Sequence, residues 1–122
     1  MTDATQVTNI DSLPNLLNEP GASMRRFSGT GVMLQEARTP KGSRFEPHQH
    51  HNEQLVIVLE GRIRLDIFDQ PGGGSRSVEL GEGDMIVLPP NVPHGGETLE
   101  DCRVLDAFTP PRTTVLGEPE ES

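Results

Sequence analysis

Apolar residues in this chain recur at every second position, in short runs separated by glycine and proline. Residues 62–68 read Arg, Ile, Arg, Leu, Asp, Ile, Phe, an alternation that predicts a half-buried strand with Ile63, Leu65 and Ile67 turned inward. Residues 54–59 (QLVIVL) are apolar on both parities, which predicts a strand buried on both faces. Residues 77–80, 85–88 and 102–108 read as further short strands, and residues 25–36 as two strand pieces interrupted by Gly29 and Gly31. The turns between them are marked by Glu19-Pro20-Gly21, Thr39-Pro40-Lys41-Gly42, Glu60-Gly61, the stretch DQPGGGS at 69–75, and Gly81 to Asp84. Pro89-Pro90 stops a strand because neither residue can donate to a ladder. Short strands with turns of this kind predict an all-β fold, an antiparallel double-sheet jelly-roll barrel.

The barrel is expected over residues 23–112. Residues 1–22 form an N-terminal arm whose Leu13, Leu16 and Leu17 make either a short helical turn or a strand laid over the barrel. Residues 113–122 read as an acidic tail expected to be disordered. At 122 residues there is room for one core and no second domain. The strand that is apolar on both parities needs a cover, from the arm or from a second subunit, and two-fold dimers are the commonest solution, so a homodimer is expected. A formal charge of −9 repels nucleic acid and anionic membranes alike. The single Cys102 excludes an internal disulfide. With no long apolar run and no leader-like N-terminus, a cytoplasmic location is expected.

The chemistry is concentrated in the histidines. There are four, His48, His50 and His51 in one stretch and His94 in another. On a strand, His48 and His50 share a face with Asn52 and Gln54, while His51 and Glu53 point away as surface groups or as groups behind the ligands. Two imidazoles, an amide and a distant imidazole can cage one divalent transition metal: zinc, nickel, iron, manganese or copper. The glycines at 72–74 are not a phosphate cradle, because no Lys-Ser or Lys-Thr follows and no helix opens. Arg62 and Arg64 read as the solvated face of an alternating strand.

Gly42, five residues, His48-x-His50, three residues, Gln54, six residues, Gly61 resembles the first cupin motif. Gly83, five residues, Pro89-x-Asn91, two residues, His94 resembles the second. Gln54 stands where the cupin pattern usually has Glu, Asn91 where it has Gly, and Thr98 where it has Asn. The resemblance implies His48, His50, Gln54 and His94 as metal ligands. A neutral amide among them leaves the metal its full double charge and makes it more electrophilic.

After the second motif, Asp106-x-Phe108-x-x-x-Arg112 is similar to the last strand of the small cupins that open 4,5-unsaturated monouronates to linear keto acids. That likeness implies a redox-neutral isomerase or lyase using Lewis-acid and proton-transfer catalysis on a small anionic substrate. Asp106 would handle a proton, Phe108 shape the wall and Arg112 hold the carboxylate. The plainer readings are an Asp106–Arg112 ion pair pinning the chain end and a Phe108 that only fills the core. An iron or copper dioxygenase and a non-catalytic small-molecule-binding cupin are the alternative functions.

Overall fold

The structure, a computed structural model, describes residues 5–114. Seven antiparallel strands follow in order: β1 (Ser23–Ser28), β2 (Met33–Thr39), β3 (Arg44–His48), β4 (Glu53–Ile67), β5 (Arg76–Leu80), β6 (Met85–Leu88) and β7 (His94–Thr109). Two short 3-10 turns, Ile10–Ser12 and Pro71–Gly73, are the helical pieces among the described residues, and no helix there is long and apolar enough to cross a membrane.

Two strands are longer than the sequence pattern suggests, and they make the architecture. Residues 54–59 and 62–68 belong to one strand of 15 residues, β4, and the last strand begins at His94 and runs for 16. Gly61 does not end β4; it bends it. Its φ is +86°, and a Cβ there would overlap the Asp101 carbonyl oxygen of β7, so only glycine allows the close approach. Register shifts against β7 cluster between Val58 and Ile63, as expected where paired strands turn a corner through bulges. The first half of β4 pairs with β6 and the second half of β7, while its second half pairs with β5 and the first half of β7. The result is two packed sheets, β1-β2-β7-β4-β6 and β3-β7-β4-β5, which share β4 and β7. This is the expected jelly roll, though its hydrogen-bonded path ends at β1 and β5 without closing.

The core lies between the sheets. Ile63, Leu65 and Ile67 are buried as the alternation predicts, with Val56, Val58, Leu80, Leu88 and Cys102. Residues 54–59 are not buried on both faces: Gln54, Val56 and Val58 face the core, whereas Leu55 is exposed. An antiparallel sheet packs one face and leaves the other outward. The N-terminal arm runs beside β1, where the Leu16 N–H donates to the Met24 carbonyl (2.8 Å) and Arg25 Nε to that of Leu13 (3.1 Å). The helical turn lies upstream of the three leucines, at Ile10–Ser12, with Asn9 accepting from the Asp11 N–H at its start. Of the acidic tail, residues 115–122 lie outside the described residues. The Thr114 carbonyl accepts from Arg26 Nη1 at 2.8 Å.

Candidate metal centre

β3 stops at His48 and β4 starts at Glu53, so residues 49–52 form a connection and not the continuous strand that the alternation assumed. His48, His50 and His94 converge all the same. His48 faces His94 directly across the β3–β7 ladder, and the connection folds His50 over both. The ring centres lie 4.7–5.7 Å apart. Asn52 departs from expectation: fully buried, it turns away from the histidines and its Nδ2 donates to the Pro110 carbonyl at 2.5 Å. His51 and Glu53 are exposed. Asn91 adopts the left-handed conformation (φ 64°), and its N–H donates to the His50 carbonyl at 2.8 Å, which ties the two motifs together.

All three imidazoles are oriented by the same device. Nδ1 of His48, His50 and His94 lies 3.0–3.1 Å from the backbone carbonyls of Glu46, Asn52 and Val92 respectively. A carbonyl only accepts, so Nδ1 carries the proton and donates, and the Nε2 of a neutral ring carries no proton. Two of the rings are held neutral: burial lowers His50, helped by the Arg112 charge, and burial drives His94 down to about 4. One ligating atom from each histidine lies within 4.8 Å of the others. These three histidines can hold a metal ion.

Gln54 makes the fit more specific. Its Nε2 donates to Asp106 Oδ1 at 3.1 Å, which turns Oε1 toward His50 Nε2, also at 3.1 Å. Two acceptors thus face each other in a buried place with no proton between them. A divalent transition cation resolves that conflict, and imidazole nitrogen with amide oxygen is a donor set such ions accept. The backbone carbonyls behind the rings and Asp106 behind the amide are the outer partners that fix ligand orientation.

Asp106 is the centre of a second array. Its Oδ2 accepts from Gln35 Nε2 at 3.0 Å, and Gln35 Oε1 accepts from Arg26 Nε at 2.8 Å. Burial pushes the Asp106 carboxyl up to about 6, against the pull of the Gln35 and Gln54 amides and of the Arg26 charge. The sequence pattern passed over Gln35 and Arg26. The available signal was parity, since Gln35 stands between Met33 and Ala37 on the inward face of β2. Arg112 is buried; its guanidinium carbon lies 5.7 Å from the centre of the Phe108 ring, and Nη2 donates to Thr114 Oγ1 at 3.1 Å. Phe108 is buried and meets His50 edge-on at 5.8 Å. Arg62 and Arg64 pair on the outside with Glu79 and with Asp66 and Glu97.

These groups open onto one cavity of about 590 Å³, lined by His48, His94, Gln54, Asp106, Phe108 and Arg112 together with Arg26 and Arg44. Its position between the two sheets makes it the natural place for a small ligand.

A family model described as a cupin domain matches residues 35–108. The chain is 26% identical over 113 residues to an uncharacterized protein of Methanocaldococcus jannaschii, covering 85% of this chain and 86% of that one. It is 33% identical over 76 residues to the H2HPP isomerase of Bacillus subtilis, covering 62% of this chain and 29% of the isomerase, so it spans under a third of that protein. Among solved structures, that of KdgF from Halomonas sp. superposes with a TM-score of 0.74 at 25% identity, covering 90% of this chain and 97% of the other.

Proposed function

The chain belongs to the cupin family, and from that premise we propose that it is a metal-dependent isomerase or lyase that opens a small oxygenated carboxylate, an unsaturated monouronate or a near relative, without net oxidation. The supporting observation is that one ligating atom from each of His48, His50 and His94 lies within 4.8 Å of the others, with the Gln54 amide oxygen against His50 Nε2, beside a buried carboxylate and a cavity that also holds arginines. His48, His50 and His94 would hold the ion through Nε2 and Gln54 through Oε1. Such an ion supplies Lewis acidity toward a carbonyl or ring oxygen.

The chain's own residues do the rest. Arg112 offers a planar fork for a carboxylate, and its guanidinium carbon lies 5.7 Å from the centre of the Phe108 ring, an apolar wall beside it. Arg26 and Arg44 add positive charge to the cavity of an otherwise acidic protein, which draws an anion in. Asp106, near 6, is mostly ionised at neutral pH yet close enough to the operating range to take a proton and return it. Gln35 and Gln54 each hold one of its oxygens, so the carboxylate cannot rotate away from the cavity. The proton it takes would leave carbon and return to carbon or oxygen of the same substrate, so no oxidant is needed.

The test is elemental analysis of the purified protein, followed by incubation with an unsaturated monouronate with and without oxygen. Linear keto acid formed equally in both atmospheres, and lost on chelation, is the expected result. Product that requires oxygen and consumes it would assign the site to an iron or copper dioxygenase instead. Saturable binding with no product would make the chain a binding module.

A further inference from the structure

The cavity has two halves of opposite character. Beside the candidate metal centre its wall is polar, with Arg26, Gln35 and Asp106 aligned in one row of the ladders. One step further along the same three strands the inward positions are Met24, Ala37 and Val104, again aligned by register. The facing sheet contributes Ile63 and Leu65 of β4 and Phe45 of β3, and all six line the cavity. Beyond them the Thr39 hydroxyl lies 2.7 Å from that of Thr98, so these two polar groups are bonded to each other. The amides of the polar half are engaged as well. Gln35 and Gln54 each donate to Asp106, and their oxygens face Arg26 and His50. A ligand hydroxyl carried past the Asp106 row would leave water and meet hydrocarbon on both walls.

We propose that this apolar chamber is a subsite of its own, and that the ligand is a carboxylate joined to an unsubstituted hydrocarbon group, a ring or a short chain. The proposal rests on the reading above for the placement of the carboxylate, at Arg112 and the metal site. The dimensions agree with it. From the level of Gln35 to that of Thr39 is four residues of β2, about 13 Å at ~3.3 Å per residue, which leaves room for a group of roughly six carbons beyond the polar row. The whole cavity, about 590 Å³, falls within the ~300–1,000 Å³ of sites for drug-sized ligands, more than a single sugar acid fills. Among the oxygenated carboxylates that the proposed reaction admits, one hydroxylated all round uses the polar half alone. One with a bare hydrocarbon side uses both halves, and the area it removes from water adds to the hold of the arginine.

The test is a titration of the purified full chain with acetate, butyrate and hexanoate, followed by two-dimensional NMR. Affinity should rise about three- to fourfold per methylene, roughly 100-fold from acetate to hexanoate, as apolar area enters the chamber. Ala37→Phe fills the chamber and should bring hexanoate down to the level of acetate. Val104→Thr keeps the shape and adds a hydroxyl, so it should cut hexanoate affinity severalfold, and the same spectra report whether each variant is folded. Equal affinity for the three acids in the wild type overturns the chamber and leaves the carboxylate reading standing. Failure of all three to bind overturns both. A dependence on length that survives both substitutions, as expected if the acids adhere to exposed apolar side chains elsewhere, overturns the chamber as well.

Discussion

Replacing Asp106 by Asn tests the buried array without touching a ligand atom of the three histidines. In the wild type the carboxyl rises from an ordinary 3.8 to about 6, chiefly through burial. The folded state therefore binds this proton more tightly than the unfolded state does. Between those two values stability falls as pH rises, and above both the ionised carboxylate costs on the order of 3 kcal/mol. Of that, about 1.5 kcal/mol should be lost between pH 5 and 7.5. Asn carries no charge, so its contribution is flat over that range. Its amide does meet the Gln35 and Gln54 donors badly, but that offset is independent of pH. His94, driven down to about 4, acts in the opposite sense: it destabilises the fold as pH drops from its ordinary 6.5. That effect is common to both proteins and cancels in their difference. The assay is urea unfolding of chelated wild type and Asp106→Asn from pH 5 to 8. The wild type should lose ground to the variant by about 1.5 kcal/mol across that span. Parallel curves would refute the raised carboxyl and, with it, the proton-handling role.

His50→Ala should empty the metal site by elemental analysis, and a metal content equal to wild type would refute the ligand assignment. Arg112→Ala should lower kcat/KM by about 30-fold or more, since losing a hydrogen-bonded charge pair in a partly buried site costs on the order of 2–5 kcal/mol. Metal content should not change, and Arg112→Lys should rescue only in part because it loses the fork. A lower melting temperature with unchanged kcat/KM would instead make Arg112 a pin for the chain end. The Cys102 thiol is buried and pushed up to about 11, so alkylating reagents at pH 8 should label it only on unfolding; prompt labelling of the native protein would refute its burial.

The parts of the site legible in the sequence were those built from rare residues. Four histidines in 122 residues, confined to two motifs, pointed to the candidate metal centre even though His50 does not lie on the strand that alternation assumed. That stretch is a connection, and Asn52 took a different partner. Alternation served where a strand is regular, as for Ile63, Leu65 and Ile67. It failed at Gly61, where a turn signal marked a bend within one strand. Gln35 and Arg26 were hidden for another reason. Such residues are common on surfaces, and only the pairing of Arg26 with Gln35 and of Gln35 with Asp106 across the ladders makes them a buried row. Parity is a property of one strand, whereas register belongs to two.

Register also joins the cavity to the outer face. Arg26, Gln35, Asp106 and Gln54 point inward because Phe27, Leu34, Ala107 and Leu55, each one residue away, point outward. A one-residue slip in any strand would move a polar group out of the array and put an apolar one in its place. In most antiparallel sheets the apolar parity marks the core and holds the strand in register. In this half of the sheet the inward parity is mixed: the four polar groups share it with Met24, Met33, Val56, Val58 and Phe108, while Arg25, Glu36 and Arg103 stand on the outward parity with the apolar row. Besides those apolar side chains, two things hold the register: the hydrogen bonds that link Arg26, Gln35, Asp106 and Gln54, and the metal that Gln54 and the histidines would bind. Breaking the array with Gln35→Ala should therefore speed amide exchange in β1 and β2 more than in β5, which pairs with β4 beyond the bend. Equal protection of β1 and β2 in the variant and the wild type would show that the apolar side chains hold the register by themselves.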